Sequence, residues 1–276
     1  MPFGDLSALE ERLATRLFAA FVVEPIQCEA GVRIPSAGYL SSAQELCRRH
    51  GTLLVADEVQ TGLGRTGRWF AHEAEGFVPD VLALAKSLGG GIAPVGATVT
   101  TAAIHRRAYG RLDRFDLHGS TFAGNAFGCV AGLETLAILA DERLVENAEE
   151  RGRQLLAALK RGLEGHPLVR DVRGRGLLAA IELGASWDAG GLLGPPVQVL
   201  GQWASLELLE RGILCQPASQ QWTVLRLEPP LTIGAAEIDR LAAAVCEVLA
   251  DRQSLVKTMA DVATRVSRQF VSGWKF

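Results

Sequence analysis

The chain reads as an α/β protein, with a mainly parallel sheet in its first half and a smaller α/β unit in its second. Three features of the sequence predict this. Leu53-Leu54-Val55-Ala56 runs into Asp57-Glu58-Val59-Gln60, and Val81-Leu82-Ala83-Leu84-Ala85 runs into Lys86. A short apolar run ending in a charge is how a buried parallel strand looks when it delivers a functional side chain at its carboxyl end. The third feature is an apolar run at 20–23, joined to the run at 53 by an amphipathic segment; this is the strand, helix, strand order of a parallel βαβ unit.

The elements follow in order. Residues 7–16 predict a short helix capped by Ser7, with Glu10 three places on, feeding the strand at 20–23. Glu24-Pro25 ends that strand, because proline has no N–H for a ladder. Glycine, proline and polar residues between Cys28 and Gly38 predict a loop. Residues 41–50 predict an amphipathic helix with Leu40, Ala43, Leu46 and Cys47 on one side, closed by Gly51. Gly62-Leu63-Gly64-Arg65-Thr66-Gly67 fits G-x-G-x-x-G after a strand. No helix opens on it and no acid ends a following strand at the usual interval, so a turn-rich loop accounts for it better than a dinucleotide site.

Gly89-Gly90-Gly91 predicts a loop where backbone or ligand can approach closely. Residues 95–100 predict a further strand. The cluster from His105 to Arg114, broken by Asp113, reads as an exposed loop. His118-Gly119-Ser120-Thr121-Phe122-Ala123-Gly124-Asn125 then leads into a small-residue helix at 126–139. Hydroxyls and free amides near a helix start suit an anion such as phosphate, and ordinary capping by Ser120 or Asn125 explains them equally well.

The character changes near Asp141, which sets a partial large domain over 1–140 and a C-terminal domain over 141–251. Leu144, Ala148, Leu155, Leu159 and Leu163 mark a helix; residues 168–183 read as strand, turn and strand. A Gly/Pro-rich loop at 184–196, a helix at 197–211, strands at 213–215 and 223–227 and a helix at 235–249 complete the unit. In the tail, 252–276, Leu255, Met259, Val262, Val266 and Phe270 alternate at three and four, predicting an amphipathic helix packed on its own chain.

Composition narrows the function. The chain has 276 residues, 48% of them hydrophobic, which is enough to bury a sizeable core. A net charge of -3 argues against nucleic acid, for which a basic face is expected. The five cysteines are scattered and lack Cys-x-x-Cys spacing, which implies a reducing cytoplasm and no bound metal. The apolar run at 17–23 is too short to span a bilayer.

The two strand ends carry the chemistry. In open α/β sheets ligands bind outside the carboxyl ends of the strands. There a lysine can condense with an aldehyde cofactor while an acid holds a pyridine nitrogen protonated, the minimum apparatus for pyridoxal phosphate. A surface ion pair at two strand ends fits the same pattern.

Larger motifs go beyond this. Glu24-Pro25-Ile26-Gln27, Asp57-Glu58-Val59-Gln60-Thr61-Gly62 with Gly64-Arg65-Thr66-Gly67, Ala85-Lys86 and His118-Gly119-Ser120-Thr121-Phe122 occur in one order. Together, over about residues 23–249, the chain resembles the class III aminotransferases, pyridoxal phosphate enzymes of fold type I. Arg226-Leu227-Glu228-Pro229-Pro230-Leu231 looks most like their ornithine and putrescine branch.

The resemblance implies roles for particular residues. Lys86 would bond the cofactor aldehyde and Asp57 would pair with the pyridine nitrogen. Val59 would pack on the ring and Gln60 approach its phenolic oxygen. Ser120 and Thr121 would reach the cofactor phosphate of a neighbouring subunit, making the active unit a homodimer. Arg226 would take the substrate carboxylate, and Glu24 would mask it when a diamine or ω-amino group enters.

Cys28, Ala30 and Ala126 depart from the family's usual residues at positions that carry no chemistry. The family also has a large upstream segment with a phosphate loop and a ring-stacking aromatic, so this sequence resembles a carboxyl-terminal portion that a partner would complete. Three functions follow: transfer of an amino group from an amine or amino acid to a 2-oxo acid; a truncated, inactive member acting as a binding or assembly partner; or racemase, decarboxylase or aminomutase chemistry on the same cofactor.

Overall fold

A computed structural model describes residues 1–115, 117–184 and 195–250, together with Thr258 and Thr264; residues 195–199 are described by backbone alone. The chain divides into two compact units. One comprises Met1–Ile26 and Ile34–Glu146, the other Gln27–Arg33 and the chain from Asn147.

In the first unit, β1 (Ala20–Val23), β2 (Leu53–Asp57) and β3 (Val81–Leu84) run parallel, and β4 (Ala97–Thr100) closes the order β1-β2-β3-β4 antiparallel to β3. In the register, Val23 lies opposite Ala56 and Asp57 opposite Ala83. Leu54, Ala56, Leu82 and Leu84 share one buried face, whereas the alternate residues of the two strands are exposed or half-buried, so the sheet of this unit is buried on one face and not on both as the apolar runs suggested.

Helix α1 (Leu6–Ala14) starts earlier than the sequence suggested. Asp5 rather than Ser7 caps it, its Oδ1 accepting from the Ala8 amide at 2.9 Å, the third-turn-residue bond of an N-cap. Helix α2 (Tyr39–His50) buries Leu40, Ala43, Leu46 and Cys47 and stops at Gly51, whose φ of +72° only glycine adopts freely. The basic cluster expected as a loop is in part helix α3 (Ala102–Tyr109), with Thr101 as its cap. It buries no residue and is only 8 residues long, shorter than the window over which helical periodicity is read from sequence. Helix α4 (Ala126–Asp141) is capped by Asn125, whose Oδ1 accepts from the Gly128 amide at 2.8 Å. Of the two explanations open for this segment, capping by Asn125 is present.

The second unit is an antiparallel sheet, in the order β5-β6-β8-β7, of β5 (Val169–Arg175), β6 (Leu178–Leu183), β7 (Gln216–Ala218) and β8 (Gln221–Leu227). It packs with α5 (Leu144–Gly162), α6 (Pro195–Glu210) and α7 (Ala235–Ala250). Ala179, Ile181, Leu225 and Leu227 join Leu155, Leu159, Leu208 and Val245 in one core, while the alternate residues, Ala180 and Arg226 among them, turn to the opposite sheet face.

The strand expected at 213–215 lies at 216–218. The Ile213 amide donates to the Leu208 carbonyl at 2.9 Å, closing the end of α6 across Gly212 at φ +76°, so Ile213 is committed to the helix stop. The expected tail helix carrying Leu255, Met259, Val262, Val266 and Phe270, and most of the 184–196 loop, lie outside the described residues.

Candidate active site

Three parallel strands place Glu24, Asp57 and Lys86 at one carboxyl edge. Glu24 directly follows β1, Asp57 closes β2, and Lys86 comes two residues after β3. Lys86 opens a short 3-10 turn with its backbone at φ +47°, a left-handed conformation that is uncommon for a residue with a side chain. Such strain costs on the order of 1–3 kcal/mol and concentrates at functional sites. Its side chain is exposed and Asp57 is half-buried.

The loop after β2 is held shut from inside. Asp57 Oδ1 accepts from the Val59 amide at 3.1 Å, turning the chain sharply at the strand end. The Glu58 amide donates to the Ala83 carbonyl on β3, while the Glu58 side chain is fully buried. That carboxylate accepts from Thr61 Oγ1 at 3.0 Å, the Ala71 amide at 2.6 Å and the His72 amide at 2.9 Å, and it contacts His72 Nδ1 at 2.7 Å. Glu58 thus ties the beginning of the loop that carries Val59 and Gln60 to its end. In sequence it had stood only as a neighbour of Asp57; the available signal was an acid beside a buried strand end with a histidine further on. Gly64 and Gly67 take φ of +90° and +80° in successive turns, which matches a turn-rich loop at 62–67.

Ser120 and Thr121 are exposed in the turn before α4. Ser120 Oγ accepts from the Phe122 amide at 3.2 Å, and Ser120 lines a cavity of about 860 Å³ with His118, Asn125 and parts of β3 and β4. Lys86 and Asp57 are not among the residues lining that cavity.

In the second unit Arg226 sits on β8, 4% exposed, level with Ala180 on one side and Gln216 on the other. Its Nη1 lies 3.0 Å from Glu29 Oε1 and 3.5 Å from Glu228 Oε1. The Ser219 amide donates to Glu29 Oε2 at 3.0 Å, and the Gln220 amide to the Glu29 carbonyl at 3.0 Å. Glu24, the acid expected to mask Arg226, belongs to the first unit; within the second unit the acid nearest Arg226 is Glu29, in the 27–33 stretch that sequence reading had left as undifferentiated loop. Among the described residues no three His, Cys, Asp or Glu side chains gather as a metal site, and no helix is long and apolar enough to cross a membrane.

A parallel sheet with an acid and a lysine at its carboxyl edge, followed by an antiparallel unit bearing a buried arginine, is the arrangement of fold type I pyridoxal phosphate transferases. Among solved structures, ornithine aminotransferase from Toxoplasma gondii superposes with a TM-score of 0.81 at 37% identity, covering 91% of this chain and 55% of that one. That structure is described as having partial occupancy of pyridoxal phosphate at its active site. An aminotransferase from Bacillus anthracis also gives a TM-score of 0.81, at 29% identity over 89% of this chain and 56% of that one.

The chain matches the family Aminotransferase class-III over residues 4–249 and belongs to it. Ornithine aminotransferase 1 of Staphylococcus aureus is 42% identical over 246 residues, 89% of this chain and 56% of the relative. Aminotransferase PigE of Serratia sp. is 38% identical over 90% of this chain and 34% of its own length. The chain therefore spans about half, or less, of the length of the curated relatives it matches.

Proposed function

We propose that this chain carries the reacting half of a pyridoxal phosphate-dependent aminotransferase that moves an amino group from an amine or amino acid to a 2-oxo acid. The observation that carries the reading is the placement of Asp57 and Lys86 at the carboxyl ends of adjacent parallel strands, with Lys86 on a left-handed backbone. The donor set fits the cofactor: an exposed primary amine, and a carboxylate with one oxygen fixed by the Val59 amide. When bound, pyridoxal phosphate supplies an aldehyde that condenses with amines and a ring that draws electrons from the substrate Cα.

Asp57 would hold the proton on the pyridine nitrogen, and Lys86 Nζ would take the proton from the substrate Cα. Val59 would pack on the ring and Gln60 would donate to its phenolic oxygen; Ser120 and Thr121 would anchor the phosphate belonging to a second copy in a homodimer. Arg226 would take the substrate carboxylate through its planar fork, and Glu29, 3.0 Å from its Nη1, would cover that fork when a diamine or ω-amino group is bound instead. The reaction belongs to the cytoplasm, and a segment supplied by a partner or by further chain completes the site. Exposed Phe122, Phe127, Val130 and Leu133, on α4 and the turn before it, favour such association, because large apolar side chains are better covered than solvated.

Borohydride reduction of the chain mixed with pyridoxal phosphate, followed by peptide mapping, tests the reading. A label on Lys86 is the expected result; a label on Lys160, or an unchanged label in Lys86→Ala, refutes it.

A further inference from the structure

The antiparallel sheet of the second unit carries two arginines on one face. Arg173 on β5 lies opposite Ala180 on β6, and Ala180 lies opposite Arg226 on β8. Residues directly opposite in antiparallel strands project to the same side, so the two guanidinium groups arise roughly 10 Å apart, two strand spacings, with only a methyl group between them. Ala180 is fully buried, so this gap is covered.

The Gln27–Arg33 hairpin meets both arginines. It closes through the Gln27 and Arg33 amides and carbonyls, at 3.1 and 2.9 Å. Arg173 Nε donates to the Gly31 and Val32 carbonyls, each at 3.1 Å, and Nη2 to the Gly31 carbonyl at 2.6 Å. Asp171 and Glu182 hold Nη1 at 2.8 and 2.7 Å, which fixes the direction of the fork. Burial works to lower the Arg173 pKa, but hydrogen bonds to Asp171 and Glu182 outweigh it and raise the pKa. The arginine therefore stays charged and rigidly oriented.

The hairpin needs such a clamp. Val32 is fully buried at φ +52°, a conformation that a β-branched side chain rarely adopts, and Gly31 stands at φ +103°. A β-carbon on Gly31 would lie 3.2 Å from the Val224 side chain, so the loop is pressed onto β8. Strained turns persist only where their surroundings over-determine them. Two residues before Gly31, Glu29 reaches Arg226.

We infer that Arg173 is a positioning residue for the substrate-carboxylate site: by clamping the Gly31 and Val32 carbonyls it holds the hairpin that sets Glu29 on Arg226. This rests on the proposed covering of Arg226 by Glu29. Arg173 touches neither substrate nor cofactor. It acts by fixing the backbone from which Glu29 works, so it governs how readily Arg226 is offered to a carboxylate.

A double-mutant cycle on the full chain tests the inference without requiring activity. Glu29→Gln and Arg226→Gln are made singly and together, and their coupling is read from urea unfolding with Arg173 intact and again in Arg173→Gln. Coupling with Arg173 intact that shrinks by about half or more in Arg173→Gln, and partly returns in Arg173→Lys, is expected. A purely structural role would lower stability and leave the coupling unchanged, which overturns the inference while sparing the proposed pairing. No coupling even with Arg173 intact overturns both. Should Arg173→Gln fail to fold, amide exchange in Arg173→Lys decides: exchange about tenfold faster across 27–33 with β6 unchanged is expected, and unaltered 27–33 protection overturns the inference.

Discussion

Replacing Glu58 with glutamine should loosen the loop that presents Val59 and Gln60, and the structure sets the size of the effect. Each carboxylate oxygen of Glu58 serves two groups: Oε2 takes the Thr61 hydroxyl and the Ala71 amide, and Oε1 takes the His72 amide and faces its ring. An amide keeps one acceptor oxygen and turns an NH2 toward donors on the other side. Thr61 can rotate its hydroxyl away, but a backbone N–H cannot move. At least one buried amide therefore loses a charge-assisted hydrogen bond, worth about 1.5–3 kcal/mol, and is left facing another donor. The side chain is fully buried, so solvent does not screen the loss. The expected destabilisation is about 2–4 kcal/mol, a large share of a domain's roughly 5–15 kcal/mol. Urea unfolding gives the total, and amide exchange across 59–72 gives its location. A loss below about 1 kcal/mol, or faster exchange spread evenly over the first unit, would refute the clamp.

Other outcomes follow from the same geometry. In an assembled, active enzyme Asp57→Asn should retain cofactor far better than turnover, because an amide cannot hold the pyridinium; a fall in kcat below about tenfold, roughly 1.4 kcal/mol, would contradict the pairing. Arg226→Lys should impair the half-reaction with a 2-oxo acid more than that with a diamine, since lysine lacks the planar fork; equal effects in single-turnover kinetics would count against the carboxylate role. Burial pushes the Cys47 and Cys215 thiols from 9.0 up to about 11, so at pH 8 a thiol reagent should label exposed Cys129 first. Because the folded values are raised, the stability these thiols contribute is present below pH 9 and lost as pH climbs toward 11. Unfolding midpoints of Cys47→Ala and Cys215→Ala that fall in parallel with wild type over that range would argue otherwise.

By itself the sequence determined the local features and the ancestry. Apolar runs at 53 and 81 ending in Asp57 and Lys86 could be read as parallel strands because a short unbroken apolar run ending in a charge leaves a local signature, although only one face of each strand is buried. Helices α2, α5 and α7 were legible through their apolar stripes, and motifs in one order were enough for the family. Helix α3, 8 residues long and with no buried residue, was too short for its stripe to be read. The tertiary structure decided whatever depends on residues far apart in the chain. It reversed β4 against β3, turned Lys86 onto a left-handed backbone, buried Glu58 against His72 and carried the 27–33 hairpin onto the second sheet. Glu29 and Ser219 are 190 positions apart, and nothing in the residues around Glu29 marks it as a partner for Arg226. Periodicity reports only which face of an element is buried. Which acid meets which arginine is set by register across β5, β6 and β8 and by the clamp on Gly31 and Val32, and those exist only once the sheet has formed.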